Sequence, residues 1–405
     1  METVGAFDPA RQAQAKKYAR LRRGLALAEM ALGAAYLTLW AVEPWARQVR
    51  DSLATLADRW RLPSGPTDTF VLLGVALALL APWWLLSLPL EFHSGHRLPH
   101  RFGLSNQSAR DWVFDRVKGL AIGAVLGVPI LLGLYAVLRL LDPWWVWASL
   151  GYAGVTIAMT TLGPVVFIPI FNRLRPLDES HRELRERLTR LSQDAGVRIR
   201  SVDTIDLSRR TKAANAVLVG LGPTRRIVLG DTLLDSFDLD EAETVVAHEL
   251  GHHVHGDIAT GLLVQSAATV TVFALVDIVL RALVRGGRLE SLADPAGWPA
   301  FVLTWSVLGF LEAPLLNVYS RWREARADEF AVRLSDKAEA FTRAMVRLGD
   351  QNLAEADPPG WAVLLFGTHP PLAERVEMAR RVERAASFRT VPVSFREPPA
   401  AGNQK

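Results

Sequence analysis

TFVLLGVALALLAPWWLLSLPL, residues 69–90, contains no formally charged residue. A helix rises about 1.5 Å per residue, so roughly twenty apolar residues cross the hydrocarbon core of a bilayer. Residues 119–138 and 143–171 are uncharged over comparable or greater lengths. Three further runs carry a single acidic residue each: 24–42 (Glu29), 258–280 (Asp277) and 298–319 (Glu312). One soluble core would rarely bury so many runs of this length. The chain therefore reads as a polytopic α-helical membrane protein with about six transmembrane helices. The first run is a poor signal peptide, because a basic segment of about 23 residues precedes it and more spans follow it.

The composition agrees. Half of the 405 residues are hydrophobic and the mean hydropathy is positive, more apolar than an average soluble protein. There is no cysteine, which excludes disulfides and thiol catalysis. The net charge of +4 is mild, and the Arg and Lys residues flank the apolar runs. That pattern suits anionic lipid headgroups and gives no nucleic-acid surface.

The chain divides into a basic N-terminal segment (1–23), a membrane part with four spans (24–171), a hydrophilic insert (172–257), two further spans (258–319), a second hydrophilic part (320–387) and a Pro- and polar-rich tail (388–405) expected to be disordered. Within the insert, 178–195 reads as an amphipathic helix, and 197–207 and 215–234 as strands. Gly220, Gly222 and Pro223 supply a hairpin turn. Asp238 followed by Glu241 marks a helix start, placing 239–256 on a helix. With the N-terminus inside, sixteen Arg and Lys residues lie on the cytoplasmic side of the spans against eight outside. This places both hydrophilic parts in the cytoplasm.

That last helix carries VVAHELGHHVHGD (245–257), where four of the chain's nine histidines fall within eight positions. His248-Glu249-Leu250-Gly251-His252 is H-E-x-x-H. Residues four apart share a helix face, so both imidazoles can hold one zinc ion while Glu249 acts on its water. With histidine this scarce, chance supplies the pattern about 0.01 times in such a chain. A third histidine ligand six residues further on is excluded, because positions 255 and 258 are His255 and Ile258 rather than Gly and His. SRWREARADEFA (320–331) offers Glu324 and Asp328, four apart. Spacing alone allows Glu324 as third ligand with Asp328 bonded to a ligand histidine, or an ordinary charged helix face. Two spans separate His252 from Glu324, and an even number of crossings returns the chain to one side.

Taken in order, RFGLSNQSARDWVFDRVK (101–118), PIFNRLRPL (169–177), NAVLVGLGPTRRIVLGDTLL (215–234), HELGHHVHGD (248–257), NVYSRWREARADEFA (317–331) and THPPLAERV (368–376) resemble the type I CAAX prenyl endopeptidases, integral-membrane zinc metalloproteases of the gluzincin type. The resemblance implies a small α/β zincin-like catalytic domain split around the last two spans. It implies one zinc ion on His248, His252 and Glu324, with Glu249 as general base and Asp328 orienting a ligand histidine. It implies that His369 and Arg375 stabilise the reacting carbonyl and organise the site. Asn215, Ala216 and Val217 would open a substrate-binding edge strand. The implied substrate is a peptide or protein cut near a prenylated C-terminus. The membrane would be the inner membrane of a bacterium or the endoplasmic reticulum of a eukaryote. The chain departs from the eukaryotic members in one respect: six spans are counted instead of seven, the missing one ahead of residue 91. A quality-control membrane protease without a prenyl requirement is the alternative reading. A non-catalytic membrane binder is disfavoured by the intact Glu249. Oligomeric state is not legible in the sequence.

Outside these motifs, Asp277 and Arg281 either pair or, with Glu29 and Glu312, line a cavity within the membrane. His93, His96 and His100 share an interfacial loop.

Overall fold

A computed structural model describes residues 6–220 and 222–390. From residue 391 onward the expected disordered tail lies outside the described residues. α1 (Pro9–Val42) begins at Asp8, whose carboxylate accepts the backbone N–H groups of Ala10 and Arg11. From Pro9 onward the basic lead-in and the first apolar run are thus one continuous helix. α2 (Trp45–Arg59) is short and charged; Arg50 ties it to Asp294 and Glu290 in the loop before the sixth apolar run. α3 (Ser64–Phe92) runs through a π-helical turn at His93–Arg97 into α4 (Leu98–Arg101). α5 (Ala109–Leu140), capped by Ser108, and α6 (Trp144–Phe171) complete the first half.

The insert follows. β1 (Leu174–Pro176) precedes α7 (Arg182–Asp194), β2 (Ser201–Ile205), β3 (Ala216–Val219), β4 (Arg226–Gly230), α8 (Asp231–Leu234) and α9 (Leu239–Val254). α10 (Asp257–Arg285) and α11 (Trp298–Ser335) re-enter the membrane, and α12 (Ala338–Gln351), α13 (Gly360–Phe366) and α14 (Leu372–Thr390) end the described chain.

Five helices among the described residues have the length and apolarity to cross a membrane: those starting at Pro9, Ser64, Ala109, Asp257 and Pro295. The fourth apolar run is the 28-residue α6. All six expected runs are therefore helical. Asp277 pairs with Arg281 at 2.8 Å and accepts the Trp144 indole N–H at 2.5 Å. The pairing reading holds there. The cavity expected to be shared by all four is not seen: Glu29 alone of them lines a largely apolar cavity between α1, α3 and α11, which includes none of Asp277, Arg281 and Glu312.

The sheet order is β1-β2-β4-β3, with β2 and β4 parallel and the other pairs antiparallel. The 215–234 segment forms the expected hairpin, but its last four residues turn into α8. The strand expected at 197–207 starts only at Ser201, because Val197 N–H still closes the end of α7 on Ser192 O at 2.8 Å. One face of the sheet packs with α7, α9, α12 and α14 around Leu188, Ile227, Leu229, Leu250 and Phe341, all essentially buried. At about 25 cal/mol per Å² of apolar surface, this core is what holds the insert and the C-terminal helices together.

α9 opens with the expected capping box: Asp238 accepts Glu241 N–H at 2.8 Å and Glu241 accepts Asp238 N–H at 3.1 Å. It ends at Gly256, whose φ of 68° is a left-handed turn that glycine adopts without side-chain strain, and α10 starts at the next residue. α11 is continuous from Trp298 to Ser335, with Pro314 inside it, so one helix carries the sixth apolar run and, beyond that run, Glu324 and Asp328. α9 and α11 touch closely at Gly251, where an added Cβ would come within 3.2 Å of Ala327 Cα and 3.1 Å of the Phe330 ring. Overpacking of this kind costs about 1–3 kcal/mol. Gly251→Val is expected to push the helices apart and lower both the melting temperature and the bound metal. Wild-type metal content in that variant would show that the contact does not set the site.

Candidate metal and catalytic centre

The Gly251–Ala327 contact places His248 and His252 on one helix against Glu324 and Asp328 on the other. The Nε2 atoms of His248 and His252 are 3.2 Å apart. Glu324 Oε2 lies 3.2 Å from His248 Nε2 and Oε1 lies 3.5 Å from His252 Nε2. Among the described residues these three form the one His/Asp/Glu group whose ligand atoms all fall within 4.8 Å of one another. His93, His96 and His100 do not form one.

The cluster is built for a cation. Glu324 Oε2 is buried without a hydrogen-bond donor. Burial alone would lower the pKa of His248, yet the Asp328 and Glu324 carboxylates push it up to about 9. Two imidazoles and a carboxylate with an open side are a fitting donor set for a divalent metal ion.

The outer nitrogens are occupied as well. His248 Nδ1 is 2.8 Å from Asp328 Oδ1, and His252 Nδ1 is 2.8 Å from Asp257 Oδ2. A carboxylate on Nδ1 fixes the ring so that Nε2 points inward. Asp328 is buried and accepts two bonds from Arg375, Nε at 2.8 Å and Nη2 at 2.6 Å. Asp257, also buried, is paired with Arg326, whose guanidinium lies 4.5 Å from the Trp322 ring centroid. Arg323 donates to the Asp257 carbonyl at 2.8 Å. Sequence reasoning missed Asp257. Its signal was position alone, directly after Gly256 at a turn whose direction the sequence does not reveal.

Glu249 sits one residue from His248 and lines the same cavity of about 790 Å³. Burial raises its carboxyl above the ordinary glutamate range. His369, 58 % exposed, brings Nε2 to 3.4 Å from Glu324 Oε2, and Arg375 also borders the cavity. β3 is the edge of the sheet, paired with β4 alone. Asn215 and Ala216 line the cavity, whereas the exposed Val217 is not among its lining residues. His253 and His255 stay outside the cluster; His255 packs against Phe330 with ring centroids 5.5 Å apart.

Comparison with known proteins settles the family. Residues 178–383 match the model of peptidase family M48, and residues 2–173 match the CAAX prenyl protease N-terminal region, described as five membrane helices. The chain belongs to peptidase family M48. It is 29 % identical over 347 residues to CAAX prenyl protease 1 of Saccharomyces cerevisiae, covering 80 % of this chain and 74 % of that protein. It is 28 % identical over 332 residues to the uncharacterized metalloprotease YhfN of Bacillus subtilis, covering 81 % and 77 %. The crystal structure of S. mikatae Ste24p superposes with a TM-score of 0.80 at 25 % identity, covering 92 % of this chain and 89 % of that one. This M48 protein is therefore a multi-span membrane metalloendopeptidase of the CAAX prenyl protease type. Where the family's N-terminal region has five membrane helices, this chain has four long ones, α1, α3, α5 and α6, and the charged α2.

Removing a carboxylate behind a ligand histidine typically costs 10- to 100-fold in metal affinity. Asp257→Ala is expected to weaken metal binding by about that factor, read by competition with a chromogenic chelator. Unchanged affinity would make Asp257 a packing residue only.

Proposed function

We propose that this M48 enzyme is a zinc endopeptidase that cleaves near the C-terminus of prenylated CAAX-type substrates. One zinc ion per chain would sit on His248, His252 and Glu324. The observation that carries the reading is the convergence of these three groups on one point, with His248 and Glu249 lining a cavity that Asn215 and Ala216 at the β3 edge also line. Segments 172–257 and 320–387 together form the catalytic domain, facing the cytoplasm by the Arg and Lys bias across the spans. The similarity to CAAX prenyl protease 1 supports a preference for prenylated substrates.

A peptide would add to β3 as an extended strand, held by main-chain hydrogen bonds along Asn215, Ala216 and Val217. Zinc, when bound, polarises the scissile carbonyl and makes hydroxide available near neutral pH. Glu249 takes the proton of the attacking water and delivers it to the leaving amine; its raised pKa suits a group that must hold that proton in between. The exposed imidazole of His369 donates to the oxyanion as charge develops there. Arg375 clamps Asp328 and so holds His248 in register.

The test uses the full chain in nanodiscs with a farnesylated CAAX peptide and its unmodified twin. Glu249→Gln is expected to keep its zinc and lose about 10³-fold in kcat, within the usual range for a general base. Glu324→Ala is expected to lose the zinc itself, read by elemental analysis. Chelator-sensitive cutting of the farnesylated peptide alone supports the reading. Equal cutting of both peptides would replace it with proteolysis that has no prenyl requirement, and wild-type turnover by Glu249→Gln would remove Glu249 from its role.

A further inference from the structure

The basic half of α1 borders the reaction cavity with Tyr18, Arg22 and Arg23. The two arginines are adjacent but differ in their surroundings. Arg23 Nη1 is 2.8 Å from Glu355 Oε2, and its guanidinium lies 5.7 Å from the Trp361 ring centroid. Gln12 grips the same loop, donating to Ala354 O at 3.3 Å and accepting the Ala356 N–H at 3.0 Å. Arg23 therefore helps to fix α1 against residues 354–356. Arg22 is exposed and makes no ion pair or hydrogen bond among the described residues. Arg375, the remaining arginine of the cavity wall, is held by Asp328.

We infer that Arg22 binds the free C-terminal carboxylate of the substrate and so favours chains that end a few residues beyond the cut. The inference rests on the reading that cleavage falls near the C-terminus, and it adds a specificity-determining residue to that reading.

The fold puts Arg22 on the side where that carboxylate would arrive. Of β3, only its start, Asn215 and Ala216, lines the cavity, together with Ala214 just before it. Asn352 ties this start to the loop beside α1: its Oδ1 accepts the Ala214 N–H at 3.1 Å and its Nδ2 donates to Ala214 O at 3.4 Å. The next residue, Leu353, is buried in a small cluster against which Tyr18 packs, one helical turn before Arg22. The wall that carries Arg22 thus stands at the Asn215 end of the edge strand. A peptide that joins an edge strand pairs slightly better antiparallel than parallel. Its C-terminal side then lies toward the start of β3, and so toward Arg22. A fragment of three extended residues, the length of -AAX, would carry its carboxylate about 10 Å beyond the cut. A guanidinium offers a carboxylate two parallel N–H···O bonds, a match that a carboxamide does not reproduce.

The experiment uses the full-length protein in nanodiscs of zwitterionic phospholipid with four peptides: farnesylated and unmodified CAAX ends, each as the free acid and as the carboxamide. Wild-type kcat/KM is expected to be about fivefold higher for the acids, the scale of an exposed ion pair. The difference should lie mainly in KM, because a group remote from the scissile bond is held alike in the ground and transition states. Arg22→Gln should bring the acid-to-amide ratio close to one at wild-type metal content, and Arg22→Lys should restore part of it. A wild-type ratio of one would overturn the inference without recourse to any variant. A ratio that survives in Arg22→Gln would overturn it by moving the carboxylate elsewhere. Equal loss on acids and amides in Arg22→Gln would also overturn it, making Arg22 a structural or lipid contact. The prenyl preference is read from the other pairing of the same four peptides, so its failure is distinguishable from this one.

Discussion

The approach of α9 to α11 at Gly251 and Ala327 is the constraint on which the site depends. Side chains that meet across two helices must be brought within a few ångströms, and only small residues at the crossing permit it. With a bare Cα at 251 and a methyl at 327, the two histidines of one helix and the two carboxylates of the other face each other one turn apart. A larger residue at either position would widen the gap between His248 and Glu324 beyond the reach of a shared ligand. H-E-x-x-H is thus half of a device, and the other half is the small-residue contact that lets Glu324 arrive.

Charge explains why the cluster stays in place. Each ligand histidine has a carboxylate on its outer nitrogen, and each of those carboxylates is held by an arginine: Asp328 by Arg375 and Asp257 by Arg326. Buried carboxylates without such partners would be costly, since removing one charge of a buried pair leaves the other uncompensated. The arrangement also joins the two halves of the chain. Asp257 is the first residue of a membrane helix, Arg326 lies on the extension of another, and Arg375 comes from the C-terminal helix. The ligand geometry is consequently coupled to how α10 and α11 leave the bilayer.

The membrane part supplies more than an anchor. α11 is one unbroken helix from Trp298 to Ser335, so the third ligand is delivered by the same helix that carries the sixth apolar run. α1 plays the complementary part, with a basic end beside the reaction cavity and an apolar face along the intramembrane one. A soluble insert of about 85 residues would not by itself bring a carboxylate from beyond two spans to its own helix. The closing of that long loop rests on the core shared by the sheet, α9, α12 and α14.

Local pattern determined a good deal. The six apolar runs, the Asp238–Glu241 helix start, the hairpin at 215–230 and the pairing of His248 with His252 on one face all follow from periodicity, capping and turn chemistry. These act over a few residues, and the structure shows each of them. The spacing of Glu324 and Asp328 showed that they share a face but left open what that face meets. Only tertiary structure brought it against α9. It also decided that Asp257 backs His252, that Arg375 locks onto Asp328, and that β3 is the edge of a sheet ordered β1-β2-β4-β3. The physical reason is range. Each of these depends on a turn direction, a strand order or a helix crossing that packing elsewhere in the fold decides, and local sequence pattern does not contain that information.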